Sequence, residues 1–70
     1  MEKIKIKTET IKLDQFLKWA EITNSGGEAK ALITEGLVKL NGEVETRRGK
    51  VLNSGDVIEF QGKKYQVNRE

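Results

Sequence analysis

Residues 25–44 read SGGEAKALITEGLVKLNGEV, and the class of fold depends on where that stretch changes its period. Its first half is a helix with both ends marked. Ser25 and Glu28 stand at capping-box spacing, in which hydroxyl and carboxylate each satisfy a free backbone N–H of the first turn. Ala29, Leu32 and Ile33 share one helical face and predict its buried side, while Lys30 and Thr34 fall together on an exposed side. Gly36 stands where a left-handed residue lets the chain leave a helix. From Leu37 the period shortens, and LVKLNGEVET becomes two β-runs around Asn41-Gly42, the strongest two-residue hairpin signal. A capped helix that passes directly into a hairpin argues for an α+β domain.

On the N-terminal side, KIKIKT (3–8) alternates strictly. It predicts a strand with Ile4, Ile6 and Thr8 turned inward and Lys3, Lys5 and Lys7 outward, where lysines also guard a sheet edge. In IKLDQFLKWAEI (11–22), Leu13, Phe16, Leu17 and Ala20 recur at helical spacing and predict an amphipathic helix of two to three turns. Asp14 sits in its first turn, where the helix dipole favours an acid. Lys12, Gln15 and Trp19 share one flank. Trp19 is either a flat surface for a base to stack on or the rim of the core, and the rim is the simpler reading.

On the C-terminal side, NSGD (53–56) is a turn, and VIEF and KKYQV around Gln61-Gly62 predict a terminal hairpin. The expected order is strand, helix, helix and about four strands, in one domain over residues 1–70.

Composition narrows the function. The chain has 70 residues, 36% hydrophobic and 34% charged, which is a globular balance. A domain of this length buries only about 60% of its unfolded surface, so the core must be small. There is no histidine and no cysteine, which excludes a zinc site and His- or Cys-based catalysis. No carboxylate pair stands in an apolar setting, so neither an enzyme, a cofactor nor a metal is expected. The absence of cysteine favours the cytoplasm, and neither a leader peptide nor a membrane span is expected. Net charge is +2, but the ten-residue acid-free stretch 46–55 holds Arg47, Arg48 and Lys50. A local field can be positive while the whole is nearly neutral.

The pieces in order now resemble a family. Lys12-Leu13-Asp14 with Leu17, Ser25 with Glu28-Ala29, Ile33 with Gly36, Val38-Lys39-Leu40-Asn41-Gly42 and Gly55-Asp56-Val57-Ile58 are together similar to the S4 RNA-binding domain. Within it they resemble the stand-alone bacterial S4 proteins of the YaaA/YbcJ type. The match runs from residue 12 to residue 60. The resemblance implies two antiparallel helices packed on a small, mostly antiparallel sheet of about four to five strands. It also implies non-catalytic binding of structured RNA, ribosomal or transfer, by a monomer that could associate with ribosomal particles. Two positions depart from the common pattern: Lys12 and Gly26 stand where many S4 domains have arginine.

On this resemblance the expected RNA-binding residues are Lys12, Ser25, Gly26, Gly27, Lys30, Lys39, Arg47, Arg48 and Lys50. The six basic ones should share one positive face with the N–H groups that open the second helix. Each has a plainer reading. Ser25 caps its helix, Lys30 pairs with Glu35, and Lys39 faces Glu43 or Glu45 across a hairpin. The rival function is a protein-interaction module that docks another chain on an exposed sheet edge.

Overall fold

The alternation near the N-terminus becomes strand β1 (Glu2–Ile6), followed by β2 (Thr10–Lys12), helix α1 (Leu13–Trp19) and helix α2 (Gly26–Thr34). Five further strands complete the chain: β3 (Val38–Leu40), β4 (Glu43–Val44), β5 (Val51–Asn53), β6 (Val57–Phe60) and β7 (Lys63–Arg69). The computed structural model describes all residues from 1 to 70. Five strands form one sheet in the order β1-β7-β6-β3-β4, and β2 with β5 forms a second, two-stranded sheet. Only the β1·β7 pairing is parallel. The fold is thus α+β, with two helices and a mostly antiparallel sheet.

The large sheet has five strands, within the expected four to five, and β2 and β5 add a small sheet of their own. Thr10-Ile11-Lys12 reads as the lead-in to α1, since three residues carry no period. It is a strand because Val51–Asn53 lies beside it, with Ile11 opposite Leu52. Thr8 also departs from expectation. It is exposed, beyond the end of β1, and its hydroxyl donates to the Thr10 carbonyl at 2.6 Å. Its would-be neighbour β7 ends at Arg69, and the last bond across that pairing is Glu70 N–H to the Ile6 carbonyl.

The local signals formed, apart from one bond of the capping box. Ser25 caps α2, its Oγ accepting from the Glu28 N–H at 3.2 Å, although the Glu28 carboxylate makes no bond in return. Gly36 has φ +78°, and the Gly36 and Leu37 N–H groups bond the Ile33 and Leu32 carbonyls, a complete Schellman motif. Asn41 and Gly42 both have positive φ, as a type I′ hairpin turn requires. Asn41 also reaches β6: its Oδ1 accepts from Val57 N–H at 2.9 Å and its Nδ2 donates to Asp56 at 3.1 Å.

Ten fully buried apolar residues form the core, among them Leu13, Phe16 and Leu17 of α1, Ala29 and Ile33 of α2, and Val38, Ile58 and Val67 of the large sheet. Leu52 of β5 joins them. Strand parity then separates the two faces of the large sheet. Val38, Leu40, Ile58, Phe60, Tyr65 and Val67 face the helices. The alternate residues Lys39, Glu59, Lys64 and Gln66 face the other way.

Candidate nucleic-acid interface

The loop between β4 and β5 forms the N-terminal end of α1. A helix opens with four N–H groups that lack partners inside it. Lys12, at the N-cap position of α1, is extended and its side chain makes no capping bond. The loop supplies the acceptors. Leu13 N–H donates to the Lys50 carbonyl at 2.9 Å, and Asp14 N–H to the Arg48 carbonyl at 3.0 Å. With Lys12 opposite Val51 in the small sheet, Lys12, Arg48 and Lys50 are gathered at one corner. The backbone of the loop is therefore structural, while its basic side chains stay free. Arg48 is exposed and Lys50 half-buried, and neither makes an ion pair.

Arg47 differs from its neighbours. Its Nε and Nη2 donate to the two carboxylate oxygens of Glu45 at 2.9 and 3.1 Å, and its backbone N–H adds a third bond at 3.1 Å. These bonds, the guanidinium pair first, pull the Glu45 carboxyl down from 4.5 to about 2, helped by the positive field of Lys50. The same pairing raises the Arg47 guanidinium. Half of Arg47's fork is thus occupied and its charge is compensated. Glu45 is the partner of Arg47 that the sequence reading missed, because an acid-free window drawn from residue 46 stops one position short of it. The signal was the Glu-x-Arg spacing at a strand end.

The other expected residues lie elsewhere. Gly26 and Gly27 open α2, where their N–H groups have no partner within the chain, and Lys30 is exposed one turn on. This group shares no hydrogen bond or ion pair with the loop. Lys30 makes no ion pair with Glu35. Lys39 points away from the helical layer. It stands opposite Val44 on one side and Glu59 on the other, so the partners expected for it, Glu43 and Glu45, are not its neighbours across the strand. The nine residues therefore fall into three places: the Lys12–Arg47–Arg48–Lys50 corner, the start of α2, and the outer sheet face.

A family model described as S4 domain matches residues 4–68. The chain belongs to the S4 domain family. The match takes in most of β1 and of β7, beyond the 12–60 stretch that carries the sequence resemblance. This S4 domain is 49% identical over 59 residues to the Bacillus subtilis (strain 168) protein named probable ribosome maturation protein RlbA, covering 84% of this chain and 83% of that one. It is 39% identical over 57 residues to YbcJ of Escherichia coli (strain K12), covering 81% of each. The solution structure of E. coli YbcJ, reported with an αL motif involved in RNA binding, superposes with a TM-score of 0.72 at 35% identity, over 97% of this chain and 87% of that one. The crystal structure of 30S ribosomal protein S4e from Thermoplasma acidophilum matches with a TM-score of 0.64 at 25% identity, over 86% of this S4 domain and 32% of the larger chain. No helix of this S4 domain is long and apolar enough to cross a membrane.

Proposed function

We propose that this S4 domain binds structured RNA, ribosomal or transfer, as a non-catalytic cytoplasmic monomer, with the Lys12–Arg48–Lys50 corner as its main contact. The observation that carries the reading is the double use of the loop. Its carbonyls are spent on the N–H groups of α1, so its cationic side chains are held at a fixed place without being consumed. The RNA-binding motif reported for YbcJ and the ribosome-maturation name of RlbA point the same way.

The chemistry is contact with phosphates. Each cation that replaces a condensed counterion adds affinity at low salt and loses it as salt rises. A-form RNA offers its backbone and shape, not its deep major groove, to such a surface. The start of α2, with two free N–H groups and Lys30, is a second place for a phosphate on the helical side. Arg47, restrained by Glu45, contributes less than its neighbours. Edge docking has less support: β4 is only two residues long, and the other edge strand, β1, carries Lys3 and Lys5.

The test is a titration of a fluorescein-labelled RNA hairpin against the protein and against Arg48→Ala with Lys50→Ala, at several salt concentrations. Loss of two phosphate contacts should cost at least about tenfold at 0.1 M salt and flatten the salt slope by about 1.5. The melting temperature should hardly move, because the capping carbonyls remain. Unchanged affinity would remove the loop from the site.

A further inference from the structure

Trp19 is the only tryptophan of the chain, and the residue is 51% exposed. A tryptophan that merely rims a core covers its ring. This one instead fixes its edge: Nε1 donates to the Lys5 carbonyl at 2.6 Å, fourteen residues away. The bond ties the indole edge to the backbone of β1 while half of the residue stays open to solvent. Two adjoining open cavities, of about 300 and 220 Å³, both use Trp19 and Ile11 as walls. Gln15 and Lys18 complete the larger, and Ile6, Lys7 and Thr8 the smaller.

The lining suits one kind of occupant. Its walls combine apolar and aromatic side chains with Lys7 and Lys18, with no acid among the lining residues. Glu9, between Thr8 and β2, is drawn aside to Arg69 at 3.5 Å. The Gln15 side-chain amide has no partner within the chain, so it is free to meet a polar edge. The cleft lies near the corner described above along the chain. Ile11 is followed directly by Lys12, and β2 pairs with β5, the strand that leaves the basic loop.

We propose that this cleft takes one unpaired base of the bound RNA, stacked on Trp19, with the neighbouring phosphates held by Lys7, Lys12 and Lys18. The inference rests on the RNA-binding reading and adds a preference to it. A surface made only of phosphate contacts is indifferent to whether a nucleotide is looped out. A surface with a stacking slot beside its cations favours a helix that carries a bulge or open loop.

The single tryptophan makes the test site-specific. Two RNA hairpins of equal charge are compared, one with a bulged adenosine and one with an abasic residue at the same point. The bulged RNA should quench Trp19 fluorescence and bind at least about fivefold more tightly than the abasic RNA, the usual worth of one base on an aromatic ring. Trp19→Leu, which keeps apolar cover, should bind both RNAs alike while its salt slope stays the same. Equal affinity of the wild-type protein for the two RNAs, with no difference in quenching, overturns the stacking site whether or not the variant folds. If that equality comes with salt-dependent binding of both hairpins, RNA binding stands and only the slot falls. If neither hairpin binds, both fall.

Discussion

Replacing Glu45 with glutamine should tighten RNA binding, and the size of the gain follows from the geometry. Glu45 holds Arg47 by two guanidinium bonds of 2.9 and 3.1 Å. The amide would keep the shape and one acceptor but lose the charge. Arg47, with a side chain 70% exposed, is then free to swing to a phosphate. One further phosphate contact adds about 0.7 to 0.9 to the salt slope, worth about five- to eightfold at 0.1 M salt against a 1 M reference. Removing a carboxylate some 6 Å from a phosphate also relieves about 0.7 kcal/mol of repulsion before screening. Screening at 0.1 M salt cuts the second effect to about twofold or less, so together these predict a gain of about five- to fifteenfold. The stability cost is small, about 1 kcal/mol, because the Arg47 end of the pair is open to solvent.

Fluorescence anisotropy across a salt series measures both affinity and slope. Adding Arg47→Ala to Glu45→Gln should cancel the gain, whereas Arg47→Ala alone should cost little, so the cycle isolates the coupling. An unchanged slope, or weaker binding, would refute the reasoning and mean that Glu45 orients Arg47 for RNA. The pair also makes a prediction for pH. The Glu45 carboxyl is depressed to about 2 from 4.5, so its stabilisation is fully present above 4.5 and is lost as pH falls through about 2. Thermal melts between those two values should lose stability faster in the wild-type protein than in the Glu45→Gln variant.

Ser25→Ala should lower stability by about 1 kcal/mol in urea unfolding through loss of the α2 cap, with RNA affinity nearly unchanged. Intact stability with collapsed binding would make Ser25 a contact instead. Gly26→Ala with Gly27→Ala should raise stability by about 0.5 kcal/mol or more, since neither needs a positive φ and an added Cβ meets nothing closer than Ser25 Oγ at 4.0 Å. The same pair should weaken RNA binding if a phosphate approaches the α2 N-terminus, and equal affinity in anisotropy would exclude that contact. Leu52→Ala should cost about 2–5 kcal/mol by chemical denaturation, because Leu52 is fully buried and joins the small sheet to the core. A loss below about 1 kcal/mol would mean that the small sheet does not depend on it.

The features legible in the sequence were those written within a few residues. The α2 cap, the Schellman ending at Gly36 and the hairpins at Asn41-Gly42 and Gln61-Gly62 each rest on backbone chemistry that neighbouring residues complete. The core was legible for the same reason, since Leu13, Phe16, Leu17, Ala29 and Ile33 repeat at the helical period. β2 and β5 were not, because three residues have no period and their pairing closes a long loop. Lys39 shows the limit of charge counting. Its place in a β-run was clear, but which face it takes depends on where the helices pack. Arg47 shows it again, since a basic residue in an acid-poor window met an acid one position outside.

By itself, then, the sequence determined the two helices, the hairpins, the α+β class and the basic character of residues 47–50, because short-range bonds and periodic burial decide these. Only the tertiary structure decided that this loop supplies the carbonyls that start α1, that Lys12 joins Arg48 and Lys50 while Lys39 turns away, and that a cleft opens beside Trp19. Those outcomes depend on backbone donors and acceptors far apart in the chain. Once buried beside one another they must be paired, and that need positions the side chains they carry.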